Sequence, residues 1–302
     1  MKMKFTVVGM FIALLANPVL ADPPGKTCTA FTTAVGYGYE ILEAGHLYVV
    51  HSAAYDTVND RIPEVSNIYI IKGNTDRASN KTTVWVYGSG YGNDDEDLKN
   101  YQNIKGSLGW TARRSALDDA TDVNCVIENE MGVDSSQAVL RFVAPHKHID
   151  HLNPEFLSAL FGTAETGYGY PLAGTRHHVH QADYYNGAIL ACTQACCGDA
   201  VCNQRDSQYF GIAYTPLWSS DIKRRFSALS SLDNLPCDVV GTINTPRGTW
   251  EIVLSPGHTD GAVNLSHANY YVHSSPKKTQ TGNCPIPGTA IQYEVHGYGA
   301  VN

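Results

Sequence analysis

Residues 141–156, RFVAPHKHIDHLNPEF, place four side chains that can bind metals within six positions. Imidazole is a usual ligand of zinc, and a neighbouring carboxylate can bind a second ion or a water molecule. A zinc ion with three protein ligands and one open position lowers the pKa of its water towards neutrality, which gives a hydroxide nucleophile. The spacing therefore predicts a metal centre rather than the alternative, a solvated polar turn. The candidate ligands are His146, His148, Asp150 and His151.

The elements on either side of these residues would hold them in place. Residues 138–144, AVLRFVA, form a nearly continuous apolar run that is typical of a buried strand. Asn153, Pro154 and Glu155 then supply a helix N-cap, a proline at the first helical position and an early acidic residue. The predicted ligands thus lie in the turn between a strand and a helix.

The rest of the chain alternates strand and helix signals, which predicts a mixed α/β domain. Two segments, 97–121 and 183–192, have a composition that favours helices. Runs rich in β-branched and aromatic residues predict the strands, of which the second and third form one hairpin and the fifth and sixth another. These strands are 46–51, 67–72, 82–87, 176–180, 239–244, 249–254, 268–272 and 290–295.

The start of the chain has the pattern of a secretory signal peptide. Lys2 and Lys4 precede an apolar stretch, and Val19-Leu20-Ala21 fits a cleavage site, so we expect residues 1–21 to be removed. The apolar stretch is shorter than the roughly 18 residues of a membrane span, and a retained anchor is the alternative. The mature domain would be residues 22–302, secreted or periplasmic and without a stable membrane anchor.

The net charge and the cysteines indicate which partners are disfavoured and which compartment the protein is expected to occupy. The net charge of −8 argues against a nucleic-acid partner, because phosphate binding needs clustered lysine and arginine. Eight cysteines, all beyond the expected cleavage site, favour disulfides in an oxidising compartment. A zinc knot is the alternative for the cluster formed by Cys192, Cys196, Cys197 and Cys202.

Two motifs together resemble the metallo-β-lactamase-fold hydrolases. The spacing His146-x-His148-x-Asp150-His151 is similar to the His-x-His-x-Asp-His signature of that family, and SPGHTDGAVNL (255–265) is similar to its Pro-Gly-His-Thr segment. SNIYIIKG (66–73) and TTVWVYGSG (82–90) are like two early strands of the family, and the resemblance covers roughly residues 45–300.

The resemblance implies a fold, a ligand set and a role for one carboxylate. The fold would be α/β, a four-layer αβ/βα sandwich of two mixed β-sheets. His258 would complete a first zinc site with His146 and His148, while Asp150 and His151 would face a second site. Asp150 would also orient the attacking water and take part in proton transfer.

The sequence departs from the family pattern at three positions. Gly88 stands where the family usually has a structural aspartate, and His273 stands where it usually has a metal-bridging aspartate. His296 is the candidate for the family's final histidine. Because neutral imidazole cannot bridge two cations as a carboxylate can, we expect one zinc and a second metal that is weak or absent.

The expected function is that of an exported zinc-dependent hydrolase. Metal-bound hydroxide would cleave an ester, lactone, thioester or amide bond of a small-molecule substrate. The alternatives are a catalytically weak or inactive metal-binding protein of the same fold that acts as a binding module, and redox chemistry at a di-iron site. Six other histidines are interpreted as structural or surface residues: His46, His51, His177, His178, His180 and His267.

Overall fold

The computed structural model describes most of the predicted sandwich. Its described residues are 27–56, 65–90, 110–112, 114–146, 151, 153–161, 167–170, 177–180, 183–185, 188–189, 226–229, 237–256, 259, 261–274 and 284–297.

The first sheet is mixed and has nine described strands, with the order β1-β2-β3-β4-β6-β7-β10 along its main path. The first four are antiparallel neighbours, whereas β4, β6, β7 and β10 run parallel. Two short strands join it at the side: β5 pairs with β2, and β16 pairs with β3. The strands are β1 Gly38–Glu43, β2 Leu47–Asp56, β3 Val65–Asp76, β4 Lys81–Tyr87, β5 Trp110–Ala112, β6 Ala138–Val143, β7 His177–His180, β10 Phe226–Leu229 and β16 His296–Gly297.

The second sheet has five described strands in the order β11-β12-β13-β14-β15. It is antiparallel except for its last pair, β14 and β15, which is parallel. A separate two-stranded ribbon is formed by β8 and β9. The strands are β11 Val239–Thr245, β12 Gly248–Leu254, β13 Val263–Ser266, β14 Tyr270–His273, β15 Ile291–Glu294, β8 Tyr184–Tyr185 and β9 Ala188–Ile189.

The two helices in the described part of the chain begin with side-chain caps that the local sequence provides. Helix α1, Ala116–Cys125, starts at Ser115, whose side chain accepts from the Asp118 N–H in a capping box, and a π-helical turn, Val126–Glu130, follows it. Helix α2, Pro154–Phe161, starts after Asn153, whose Oδ1 accepts from the Glu155 N–H at 2.8 Å. The predicted start of the second helix is therefore confirmed.

Alternation along the strands produces two apolar cores, one on each face of the first sheet. On β2, Tyr48 and Val50 pack with the helices, while Leu47 and Val49 pack against the second sheet. Trp250 of β12 is fully buried in the core between the sheets. The prediction of two mixed sheets packed face to face is confirmed, with helices on the outer face of the first. The helical layer expected on the outer face of the second sheet has no counterpart in the described part of the chain.

Two helix predictions fail in part or all of their described residues. In the segment predicted as helix 97–121, Trp110–Ala112 pairs with β2 as a strand, whereas the residues from Ala116 onwards are helical as predicted. Residues 184–185 and 188–189, within the predicted helix 183–192, pair with each other as strands. The strands and hairpins predicted elsewhere are present, including the buried strand that precedes the candidate ligands.

The described cysteines form two disulfides, Cys28–Cys125 and Cys237–Cys284. The first fixes the segment before β1 to the end of helix α1. The other four cysteines and the predicted signal peptide lie outside the described residues. None of the described helices combines the length and the apolar character that crossing a membrane requires.

Candidate metal centre

The candidate site lies at one edge of the sandwich, where several strands end together. Strands β4 and β6 run parallel, so their carboxyl ends meet at this edge, and β3 starts there. The second sheet reaches the same edge, because the Val263 N–H at the start of β13 donates to the Pro145 carbonyl at 2.8 Å. Pro145 directly precedes His146, so this bond couples the second sheet to the histidine segment.

His146 and His151 are brought together at this edge. Both are fully buried, and their ring centroids are 4.3 Å apart in an edge-to-face arrangement. Imidazole is a ligand type that suits zinc, so the two side chains that the structure describes here have the chemistry expected of ligands to that metal.

Ser66 orients His151, a contact that the sequence did not reveal. The Ser66 Oγ and His151 Nδ1 atoms are 3.1 Å apart, in hydrogen-bonding contact. A hydrogen bond at one ring nitrogen fixes the ring orientation and leaves the other nitrogen to act as a ligand. Ser66 is paired with His296 in the register between β3 and β16, so the main chain of His296 lies beside Ser66.

Gly88 and Ser89 directly follow strand β4, and Ser89 links the end of that strand to the start of helix α2. The Ser89 Oγ accepts a hydrogen bond from the Asn153 N–H at 2.6 Å, which ties the end of β4 to the cap of the helix. Gly88 has a φ of +90°, and a Cβ at this position would lie 2.9 Å from the Asn67 carbonyl oxygen. A side chain at position 88 is therefore strained and crowded, which explains why this chain lacks an aspartate there. Ser89 supplies a polar side chain at the next position.

His273 lies at the end of β14 but has a hydrogen-bond partner of its own. Its Nε2 is 3.2 Å from the Gln292 Oε1 on β15, and its ring centroid is 4.7 Å from that of Tyr271. Since side chains alternate along a strand, His273 lies on the face opposite Val272, which packs between the sheets. The structure brings His273 together with Gln292 and Tyr271.

Three of the expected site residues, His148, Asp150 and His258, lie outside the described residues. Among the residues that are described, no group of three or more His, Cys, Asp or Glu side chains converges as a metal site. The first zinc site, with His146, His148 and His258 as ligands, stays a prediction, as do the assignments of Asp150 and of the second site.

The surface interpretation of two other histidines is wrong. His178 and His180 lie on β7, which is covered by β6 on one side and β10 on the other. His180 is fully buried, and His178 stacks on Trp85 with ring centroids 5.5 Å apart. Burial lowers the pKa of His178 to about 4 and also lowers the pKa of His180. His180 is therefore an interior residue, and His178 is half-buried against Trp85, so neither lies on an open polar surface.

Several solved structures are similar to this chain at low sequence identity. No protein-family model matches the sequence, and no curated protein matches it. Similar solved structures include a metallo-β-lactamase from Cronobacter sakazakii with a HARLDQ motif, at 11% identity and a TM-score of 0.37, covering 83% of this chain and 68% of that one. Another is the class B3 di-zinc metallo-β-lactamase LRA-12 from an Alaskan soil metagenome, at 13% identity and a TM-score of 0.36, covering 81% and 61%.

A third similar structure is the metallo-β-lactamase SMB-1, at 13% identity and a TM-score of 0.36, with 74% of this chain and 56% of that chain covered. This chain also spans 57% of the length of a mutant of the Cronobacter sakazakii enzyme. These solved structures are metallo-β-lactamases.

Proposed function

We propose that this protein is an exported, zinc-dependent hydrolase that acts on a small molecule containing an ester, lactone, thioester or amide bond. The observation that carries the proposal is the contact of buried His146 and His151 at the end of β6. This contact is between the first and last residues of the motif 146–151. It lies where strands β4 and β6 end, where helix α2 begins and where the second sheet comes close.

In this proposal His146, His148 and His258 would hold one zinc ion, and Asp150, His151 and His296 would face a second position. Bound zinc would supply a Lewis acid that activates water and polarises a carbonyl group. A catalytic zinc site uses three protein ligands and keeps one position open. The three histidines proposed for the first site match that number.

The chain's own residues would orient the reactants and move the proton. Asp150 would accept a proton from the attacking water and hold that water towards the carbonyl carbon. Ser66 would keep the His151 ring in one orientation through the contact at Nδ1. Burial of the His146 and His151 side chains would limit access of bulk water on this side of the site.

Export is supported by the cysteines and by the first residues of the chain. Two disulfides are present among the described residues, and such bonds persist in oxidising compartments. The expected cleavage after Ala21 would give a secreted or periplasmic protein. Intact-mass analysis of native, non-reduced protein tests this, because retention of Met1 with eight free thiols would contradict it.

A second candidate is a weakly active or inactive metal-binding protein of the same fold. The hydrogen bond between His273 and Gln292 favours this candidate, because it engages one of the two ring nitrogens through which His273 could bind a second metal. Loss of one metal position does not by itself end hydrolysis, since a single zinc ion supplies both a Lewis acid and an activated water. The two candidates differ in turnover, which is measurable.

The deciding experiment is a hydrolysis panel on protein whose zinc content has been quantified. β-Lactams, lactones, thioesters and phosphodiesters serve as substrates for the wild type and for Asp150→Asn, His148→Ala and His267→Ala variants. We expect hydrolysis by the wild type, none by the first two variants, and near wild-type hydrolysis by His267→Ala. His267 is the matched histidine control because it lies in the turn between β13 and β14, at the opposite end of the sheet.

The outcomes separate the two candidates. Zinc-loaded wild type that hydrolyses nothing in the panel would favour the binding protein. An Asp150→Asn or His148→Ala protein that keeps wild-type turnover would contradict the assigned roles.

A further inference from the structure

Asp183 is a buried carboxylate whose two oxygens both bind a segment far away in the sequence. It follows β7 by three residues and is 1% exposed. Its Oδ2 accepts a hydrogen bond from the Thr259 hydroxyl at 2.8 Å, and its Oδ1 accepts one from the Gly261 N–H at 3.0 Å. The carboxylate therefore joins the end of β7 to the segment between β12 and β13.

That segment is closed at its base and tied to the histidine segment. The Ser255 N–H donates to the Ala262 carbonyl at 2.8 Å, so the chain returns to its starting point within a few residues. The next residue, Val263, donates its N–H to Pro145, the neighbour of His146. Asp183 binds this closed segment at Thr259, the residue that follows His258 in the sequence.

The fit between Asp183 and the loop is tight. A Cβ built on Gly261 would lie 2.5 Å from the Asp183 Cγ and 2.8 Å from the Asp183 backbone nitrogen. Such distances exclude any larger residue at position 261 without movement of one of the two segments. The two hydrogen bonds and this close contact together fix Thr259 and Gly261 against Asp183.

We propose that Asp183 is a positioning residue that fixes the loop carrying His258, so that this histidine is held ready to bind zinc. The inference rests on the proposed function, which assigns His258 to the first metal site. Asp183 acts through its hydrogen bonds with Thr259 and Gly261. Outer partners of this kind commonly change metal affinity by about 10–100-fold when they are removed.

The test is zinc affinity, measured by competition with a chromophoric chelator on the full chain with its disulfides intact. Asp183→Asn places an amide where two donors converge, and Thr259→Val removes one of those donors with little change in volume. We expect each to weaken zinc binding by about 10-fold or more. Thr259→Ser keeps the hydroxyl and should restore affinity to within about threefold of the wild type.

Two further measurements separate positioning from general damage to the fold. Thr249→Val makes the same substitution on an exposed strand position, where the hydroxyl bonds Asn244, and it should leave zinc affinity unchanged. The visible spectrum of the cobalt-substituted protein reports ligand geometry, and we expect Asp183→Asn and Thr259→Val to shift it. If Asp183→Asn does not fold, Thr259→Val and Thr259→Ser decide the question.

The failures of the two proposals differ. Wild type that binds no zinc would overturn the proposed function, and the role of Asp183 would fall with it. Wild type that binds zinc and loses it in His258→Ala, while Thr259→Val keeps wild-type affinity and cobalt spectrum, would overturn the role of Asp183 alone.

Discussion

Acid should destabilise this protein partly through His46, which lies in the turn between β1 and β2. The side chain is 1% exposed, and its ring centroid lies 6.0 Å from that of Trp250 and 5.8 Å from that of His267. Neither ring nitrogen has a hydrogen-bond partner among the described residues. Burial, with a smaller contribution from His267, lowers the pKa of His46 to about 4.

The size of the effect follows from linkage between protonation and folding. His46 is protonated below about pH 6.5 in the unfolded chain but only below about pH 4 in the folded protein. Stability from the neutral ring is therefore present above pH 6.5 and is lost as the pH falls towards 4. One pKa unit corresponds to about 1.4 kcal/mol, so the total loss is about 3 kcal/mol, of which about 2 kcal/mol falls between pH 7 and pH 5.

His46→Phe keeps an aromatic ring beside Trp250 and removes the protonation. Urea unfolding of metal-free wild type and variant, followed by fluorescence at pH 7, 6 and 5, gives the free energy of unfolding of each. We expect the variant to gain about 2 kcal/mol relative to the wild type on going from pH 7 to pH 5. If the free energies of unfolding of wild type and variant change with pH in parallel, to within about 0.5 kcal/mol, the role assigned to His46 is refuted.

Four further predictions concern a buried carboxyl group, a helix cap, a disulfide and the second metal. Burial, only partly offset by a nearby arginine, raises the pKa of Asp119 to about 7, so its contribution to stability declines as the pH rises from 4 to 7; Asp119→Asn should therefore remove this decline in urea unfolding. Asn153→Ala removes the cap of helix α2 and should lower the free energy of unfolding by about 1 kcal/mol. Serine at both positions of the Cys237–Cys284 disulfide should lower it by about 2–4 kcal/mol, whereas a reducing agent should then have a smaller effect than in the wild type. His273→Asp should tighten a second metal in a zinc titration, and two equally tight equivalents in the wild type would contradict a weak second site.

Local sequence predicted those elements whose stability is decided locally or by burial on both faces. The apolar run of β6 is explained by its place between β4 and β7, and the cap at Asn153 is a hydrogen bond within three residues. The hairpin of β11 and β12 follows from its turn residues in the same way. For the cap and the hairpin the decisive neighbours in space are also close in sequence, whereas the burial of β6 is indicated by its apolar composition.

Predictions failed where distant partners decide the structure. Trp110–Ala112 becomes a strand because it pairs with β2, more than 50 residues earlier, which no local composition reveals. The buried histidines of β7 look polar in sequence, but their burial is set by the strands on either side. Ser66 and Asp183 carry no recognisable spacing signal, since their contacts are with residues 85, 76 and 78 positions away.

Zinc titration of metal-stripped protein, compared between the wild type and His146→Ala, tests the metal centre most directly. We expect one tight zinc equivalent per wild-type chain and its loss in His146→Ala, because that change removes one of the three proposed ligands. A wild type that binds no zinc, or a His146→Ala protein that binds zinc as tightly as the wild type, would contradict it.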